Sequence, residues 1–536
     1  MTKSNRVGQM IVVAVVTALP YLSSLSYEFV YDDHGVIVEN SFLHDPANFR
    51  SVATLRTFHD PHVIDGQRPG VLVSYFTDRA IWGLNPAGWH ATNLALHLVA
   101  TLLVFLLGYK LIASCGQKSR DLSFLPQVAA LLFGLHPVLT EAVQVPSFRE
   151  DLFVTVFGLL YLLCAWVRRP WLAVLLQSAL LALALLSKET AVVLPLLLVW
   201  LWCFVPSQRP GHRVGIAALS IQVTLVLAYL LNAYASRPLQ AAGGTWNGIS
   251  LQVPQNFLTM PLLFMDYVGL LLAPHPLCVE QLVQPVAGLA DPRFWLGVSG
   301  VILFVCTAII LNKRAPLIAL GMGWIFLGGL PVSNAVPLFN PLAERYLYFV
   351  APAFALMLAA ALAELPSRRL VWGLVVALAV SYGGLTASRL KDWRNDETLW
   401  NATILVEARS ARAHSWLGLM RKAEGNRSQA QRYFRHADAL NPYDISAKAN
   451  MAIMAGEDGD FVRAEQLLRE AIAIRPGKAD LHWNLALALV YQGRNGDAMK
   501  EINRTLKLDP RHHYAAPVVR AMKEESARVK GHGPGP

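Results

Sequence analysis

VGQMIVVAVVTALPYLSSL, residues 7–25, leads after a short link into Tyr31-Asp32-Asp33-His34. A run of that length can cross a bilayer, which takes about 20 apolar residues. Two adjacent carboxylates then stand where such a helix would surface. A charge in hydrocarbon is costly, so ionisable groups at a bilayer boundary are candidates for function. The plainer reading is a solvated turn after a helix, which aspartate favours. Lys3 and Arg6 ahead of the run imitate a secretory signal. The length of the run and the lack of a clean small-x-small cleavage site indicate a retained helix that starts in the cytoplasm.

The rest of the chain extends this pattern. Of 536 residues 54% are hydrophobic and 15% charged, too apolar for an ordinary soluble protein and characteristic of a multi-pass membrane protein. The net charge of +10 then belongs mainly to cytoplasmic loops and to contacts with membrane lipids. No nucleic-acid-binding motif accompanies it, so no nucleic acid partner is expected. Cys115, Cys164, Cys203, Cys278 and Cys306 show no zinc or disulfide spacing and read as packing residues.

Further apolar runs lie near 90–113, 122–140, 150–167, 171–187, 190–206, 214–234, 257–273, 294–311, 316–333, 346–365 and 369–388. The positive-inside rule places Lys110, Lys118 and Arg120, then Arg168-Arg169, then Arg209, His212 and Arg213 in the cytoplasm, in step with alternation. It places Lys313-Arg314 and Arg368-Arg369 there only if 257–273 is re-entrant or interfacial. That segment contains Asp266 and ends Ala273-Pro274-His275-Pro276, a poor end for a regular span. The expected fold is all-α: a helical membrane core over 1–390 with about eleven full spans. Its long first extracytoplasmic loop, 27–89, is expected to include a short interfacial helix from Pro46 to Phe58. The C-terminal region falls on the same side as Asp32-Asp33.

Beyond Arg389 the apolar runs stop. Pro442, Pro476 and Pro510 are spaced by 34, as are Gly425, Gly459 and Gly493, then Ala430, Ala464 and Ala498, then Phe434, Leu468 and Ile502. This period marks tetratricopeptide repeats: small residues let paired helices approach, a bulky one fills the gap, and proline ends each unit. Three repeats are expected over 411–512, able to take a peptide or protein partner. Trp400 stands one period before Phe434, so 391–410 reads as a linking half-repeat. Residues 513–536 are the C-terminal tail, expected to be disordered beyond Met522.

Polar stretches interrupt the apolar runs. The first loop carries Asp32, Asp33, Asp65 and Arg68. His136 to Glu141 leads on to Arg149-Glu150-Asp151. Ser187-Lys188-Glu189-Thr190 joins two runs, and Asn340 leads to Glu344-Arg345-Tyr346. Such groups suit an enzyme that takes a sugar from a polyprenyl-phosphate carrier. The leaving phosphate is already a stable anion and needs no general acid. A carboxylate must take the proton of the acceptor hydroxyl, and cations must hold the phosphate as it departs. With inversion, one in-line displacement is enough. Asp32 and Asp33 are the candidate catalytic residues. Neighbours point different ways, so one is the base and the other an organiser acting through hydrogen bonds or a divalent metal, the one cofactor this chemistry admits. Asp33 is the expected base. Arg68, Arg149, Lys188 and Arg345 are the expected phosphate ligands, with Glu141, Asp151, Glu189 and Glu344 in the same substrate site.

Plainer readings stand beside these. Arg149 with Asp151, and Glu344 with Arg345, suit surface ion pairs at helix ends, and Lys188-Glu189 suits a snorkelling pair. His90 and His97 share a helical face and read as packed histidines rather than metal ligands. Gly243-Gly244 is a turn. No Walker, dinucleotide-binding or Gly-x-Ser-x-Gly motif is present.

A family resemblance rests on Tyr31-Asp32-Asp33, Arg68-Pro69 before Leu72, and Asn85-Pro86 through His90 to His97. It continues through Leu135-His136-Pro137, Thr140-Glu141-Ala142, Arg149-Glu150-Asp151, Lys188-Glu189, Pro276-Leu277-Cys278 and Ala343-Glu344-Arg345-Tyr346-Leu347-Tyr348. In this order, with repeats behind them, the chain resembles the transmembrane and tetratricopeptide-repeat O-mannosyltransferases (the TMTC family) and their bacterial relatives. The resemblance implies a GT-C glycosyltransferase core with its site on the periplasmic or lumenal face. It also implies a polyprenyl-phosphate-linked sugar donor, a protein or glycan acceptor near the repeats, and the aspartate pair as catalytic motif. The short repeat array departs from the family pattern. The location is a bacterial inner membrane with a periplasmic site, or an endoplasmic reticulum membrane with a lumenal one. The rival reading is a non-enzymatic membrane scaffold recruiting partners through its repeats. A transporter would need charges near the midplane and inverted internal symmetry, which the sequence lacks.

Overall fold

The computed structural model describes residues 3–60, 62–115, 124–236, 245–246, 249–250, 253–336, 338–510 and 512–518. Lys118, Arg120, Gly243-Gly244 and residues 519–536 of the expected tail lie outside the described residues. The chain divides into two compact units, Met1–Trp246 with Ser250–Ala402, and Asn247–Ile249 with Thr403–Pro536. Among the described residues the secondary structure is helical apart from two-residue strands at Thr245–Trp246 and Ile249–Ser250.

In the first unit prolines open several helices: Pro69–Trp82, Pro170–Leu185, Pro292–Leu311 and Pro316–Gly329. The first turn of a helix leaves its N–H groups unpaired, so a residue lacking one is tolerated there. The helix Pro86–Cys115 is the hub, packing on Lys3–Tyr21, Leu125–Gly134 and Arg149–Leu163. Half of its apolar window is buried (50%), against 11% for Pro292–Leu311, which keeps its aliphatic side chains for lipid. His97 is buried on the hub between Tyr348 Oη (2.8 Å) and the Gly134 carbonyl (3.0 Å), a packed histidine as expected.

Six helices among the described residues are long and apolar enough to cross a membrane: Asn5–Ser26, Pro86–Ser114, His212–Ala233, Gln255–Leu272, Pro292–Leu311 and Arg368–Arg394. Gln255–Leu272 is one of them although its sequence points to a re-entrant segment. The helix Val253–Leu272 runs past Asp266 and stops short of Pro274. Five other apolar helices are shorter, among them Leu125–Gly134 and Ala351–Ala363. They stop early where the backbone turns irregular. After Leu125–Gly134 come the short turns Pro137–Leu139, Thr140–Gln144 and Pro146–Phe148, and every residue from 132 to 152 is buried. Non-helical backbone survives at membrane depth only where protein covers it.

The Glu28 N–H donates to the Arg394 carbonyl (3.1 Å) and the Tyr31 N–H to Asp396 Oδ1 (2.9 Å). The exit of the first long helix therefore lies beside the exit of the last, Arg368–Leu390.

The first loop has a core of its own, in which Ile37, Leu43, Val52, Val71, Leu72, Tyr75, Phe76 and Trp89 are buried together. The expected helix from Pro46 to Phe58 is broken. Phe49–Ala53 is helical, but Leu55 adopts a left-handed backbone (φ 57°) that ends it.

The second unit holds three helix pairs: Ala411–Ala423 with Arg427–Leu440, Ile445–Glu457 with Phe461–Ile474, and Ala479–Tyr491 with Asn495–Leu508. Gly425, Gly459 and Gly493 turn each pair at φ 79°, 83° and 77°, where a side chain would be strained. Ala430, Ala464 and Ala498 are buried, as are Phe434, Leu468 and Ile502. A Cβ on Gly418 would lie 2.7 Å from the Phe434 ring, so glycine is what lets that pair close. Trp400, buried on the helix Asp396–Val406, meets the Tyr31 ring edge-on at 5.5 Å.

Candidate active site

The aspartate pair is set by the residue before it. Tyr31 has a left-handed backbone, φ 57°, an unusual state for a bulky residue that costs about 1–3 kcal/mol and persists only when its surroundings enforce it. Asp33 is fully buried. Its Oδ1 accepts the Ser147 N–H (2.8 Å) and its Oδ2 the Val30 N–H (3.3 Å). Burial pushes its pKa up to about 7 against the pull of those donors, and the charge of Asp32 adds to the rise. Asp32 is partly exposed, and its charge acts on Arg345 and on Asp65.

Three of the four expected cations gather on this side. Arg68 donates to Asp65 (3.2 Å), Glu150 (3.1 Å) and Glu189 (3.2 Å). Lys188 meets Asp151 at 2.6 Å and Glu150 at 3.9 Å. Its ammonium lies over the Tyr346 ring at 5.3 Å, and the Arg345 guanidinium lies over the same ring at 5.0 Å. Arg345 pairs with Glu141, whose Oε2 also accepts the Arg345 N–H at 2.9 Å, and it stacks on Phe148 at 4.0 Å. These side chains come from separate polar stretches brought together by the irregular segments between the short helices. Arg68 and Glu189, 23% and 49% exposed, open the cluster to solvent.

Arg149 does not join them. It is fully buried and points into the first loop, donating to Asn93 (2.7 Å), Ser74 (3.2 Å) and Asp78 (2.6 Å) between Tyr75 and Trp89. The expected phosphate ligand is the ion that ties the loop to the core. Glu344 also departs from its expected role: it faces Arg389 (3.4 Å), itself bonded to Asp392 (2.9 Å), and burial pushes its pKa up to about 8 despite that cation. Glu141, Asp151 and Glu189 each hold a cation of the cluster. The residues that sequence reasoning left without a role are Asp78, Arg389, Asp396 and Glu150. Glu150 bridges Arg68 and Lys188 and leaves its buried Oε2 without a partner. Among the described residues no group of three or more His, Cys, Asp or Glu side chains is arranged to hold a metal ion.

The description "tetratricopeptide repeat" belongs to the family model that matches residues 457–519. Across 97% of its length the chain is 23% identical to the human protein O-mannosyl-transferase TMTC3, taking in 70% of that protein. Across 87% it is 25% identical to the Drosophila melanogaster protein O-mannosyl-transferase Tmtc3, taking in 58% of it. The crystal structure of the Archaeoglobus fulgidus oligosaccharyltransferase superposes with 12% identity over 73% of this chain and 56% of that one, at a TM-score of 0.39, too loose a match to assign a fold. The similarity to the transmembrane and tetratricopeptide-repeat O-mannosyltransferases, expected from the motifs, is borne out.

Proposed function

We propose that the chain is a membrane glycosyltransferase of GT-C type, with about eleven spans and its site on the periplasmic or lumenal face. It moves a hexose, mannose in the first instance, from a polyprenyl-phosphate carrier to a hydroxyl of a protein or glycan. The observation that supports this best is the gathering of Arg345, Lys188 and Arg68 through Tyr346 and Glu150, with the charge of the partly exposed Asp32 acting on Arg345.

Asp32 takes the acceptor proton while the acceptor oxygen bonds the anomeric carbon. The bond from that carbon to the phosphate oxygen breaks on the opposite face, the phosphate leaves with the electron pair, and the configuration inverts. Arg345 is the leading phosphate ligand. Among the described residues one carboxylate holds it, whereas three hold Arg68. Lys188 shares the Tyr346 ring with it and adds a second positive charge. The roles within the aspartate pair are the reverse of those expected from sequence. A pKa near 7 suits a base, but a base must reach the proton it takes. Both Asp33 oxygens are bound to backbone N–H groups out of solvent, so Asp33 organises the turn.

The test uses the purified full chain in liposomes with radiolabelled undecaprenyl-phosphate mannose or dolichyl-phosphate mannose and a serine- and threonine-containing peptide. Sugar transfer by the unmodified chain is expected. Arg345→Lys keeps the charge but loses the planar fork, and should raise the donor KM about 10-fold or more. A chain that binds the peptide and transfers nothing from either donor is a scaffold.

A further inference from the structure

We propose that Asp396 is a positioning residue for transfer, holding the Tyr31–His34 turn at both ends so that Asp32 faces the acceptor; this rests on the glycosyltransferase reading above. Asp396 opens the helix Asp396–Val406, which follows the last long apolar helix. Its two oxygens are divided. Oδ1 accepts the Tyr31 N–H at 2.9 Å, and Oδ2 meets His34 Nε2 at 2.7 Å. Those two residues bracket Asp32-Asp33.

The surrounding contacts reinforce the hold. The Arg394 carbonyl accepts the Glu28 N–H, and Trp400, one turn along from Asp396, closes on the Tyr31 ring. Positions 28, 31 and 34 are thus gripped from 394–400, while Asp33 anchors the turn to Ser147 on the other side. A tyrosine seldom adopts a left-handed backbone unaided, and a carboxylate acceptor is among the strongest restraints a backbone N–H can have. Asp396 is bonded to the residues on either side of the aspartates and so acts on Asp32 through the backbone.

The imidazole of His34 faces Asp396, Asp33 and Glu39. Its pKa is raised, first by the hydrogen bond to Asp396, which outweighs partial burial. The charged pair is therefore complete below that pKa and weakens as pH rises through it.

The experiment is kcat and donor KM for the full chain in liposomes, with the donors and peptide named above. Asp396→Ala should lower kcat about 10²-fold, the scale of a small misplacement in a site, and leave donor KM unchanged because Arg345, Lys188 and Arg68 keep their partners. Asp396→Asn still accepts the Tyr31 N–H but can donate only to an unprotonated imidazole. Relative to the unmodified chain at the same pH, which shares the titration of Asp33, its kcat should be low near pH 6 and recover towards pH 8, across the range where histidine titrates. A purely structural role predicts less folded protein with unchanged kcat per folded molecule and an unchanged pH profile; that result overturns the proposal. If Asp396→Ala does not fold, the Asp396→Asn profile decides. If Asp32→Asn is inactive while both Asp396 variants match the unmodified chain, this inference alone falls. If the unmodified chain transfers nothing, the glycosyltransferase reading falls and takes this one with it.

Discussion

The membrane core and the repeats use the same charged residues in opposite ways. In the core, Arg149 and Asp78 are 0% and 5% exposed, and Lys188 and Asp151 are 3% and 2% exposed. In the repeats, Arg427 and Asp458 are 41% and 60% exposed, and Arg494 and Asp497 are both 41% exposed. A buried pair has lost its hydration, so removing one partner strands the other. An exposed pair trades one hydrated state for another and contributes little. The repeats hold together instead through small and large apolar residues that meet at the same place in every period. Charge in the core therefore marks architecture and site, whereas these repeat pairs lie at the surface, with Lys448 and Asp438, 10% and 29% exposed, as an exception.

The largest test of this contrast is Arg149→Ala. It leaves Asp78 buried without its cation and should cost about 3–5 kcal/mol, seen as a large fall in the thermal midpoint of the detergent-purified chain. A variant that stays as stable as the unmodified chain and shows only a raised donor KM would return Arg149 to the phosphate site. Next is Ala464→Asp, which forces a larger, charged group between the helices of the middle repeat. It should cost about 3 kcal/mol, read as protease cleavage within 411–512 while the core stays in the membrane. Loss of the core as well would tie the two units together in stability. The smallest effect is expected for Arg494→Ala, which should change repeat stability by less than about 1 kcal/mol. A larger loss would mean that surface charge holds the stack.

The same contrast explains what was legible in the sequence. The repeats could be read because their contacts are local and recur with one period; Gly459 and Ala464 sit where the spacing requires. The core can be read as apolar runs, but hydropathy does not register where a helix yields to irregular backbone, so 122–140 reads as a span while, among its described residues, the α-helix runs from Leu125 to Gly134. Arg149 reads as a phosphate ligand because it is a cation on the side of the aspartates; its pairing is not legible, since Asp78 lies 71 residues away, on the helix Pro69–Trp82 inside a stretch that reads as loop. The two aspartates are legible as a pair, but how each is presented depends on the Tyr31 backbone, and nothing in the residue type foretells a positive φ there. Asp396 falls where the sequence suggests only a link between units; its importance comes from contacts to a turn more than three hundred residues earlier.

The measurement that tests the central claim most directly compares kcat for Asp32→Asn and Asp33→Asn with radiolabelled polyprenyl-phosphate mannose, normalised to folded protein. Asp32→Asn keeps the shape of the side chain and removes the basic oxygen, so kcat should fall about 10²–10⁴-fold with donor binding retained. Asp33→Asn should lose less per folded molecule, because one side-chain oxygen still accepts a backbone N–H and Asp32 remains the base. If Asp32→Asn transfers sugar at the unmodified rate while Asp33→Asn is inactive, the assignment of the base is wrong. If both transfer at the unmodified rate, the aspartate pair is structural and the catalytic site lies elsewhere.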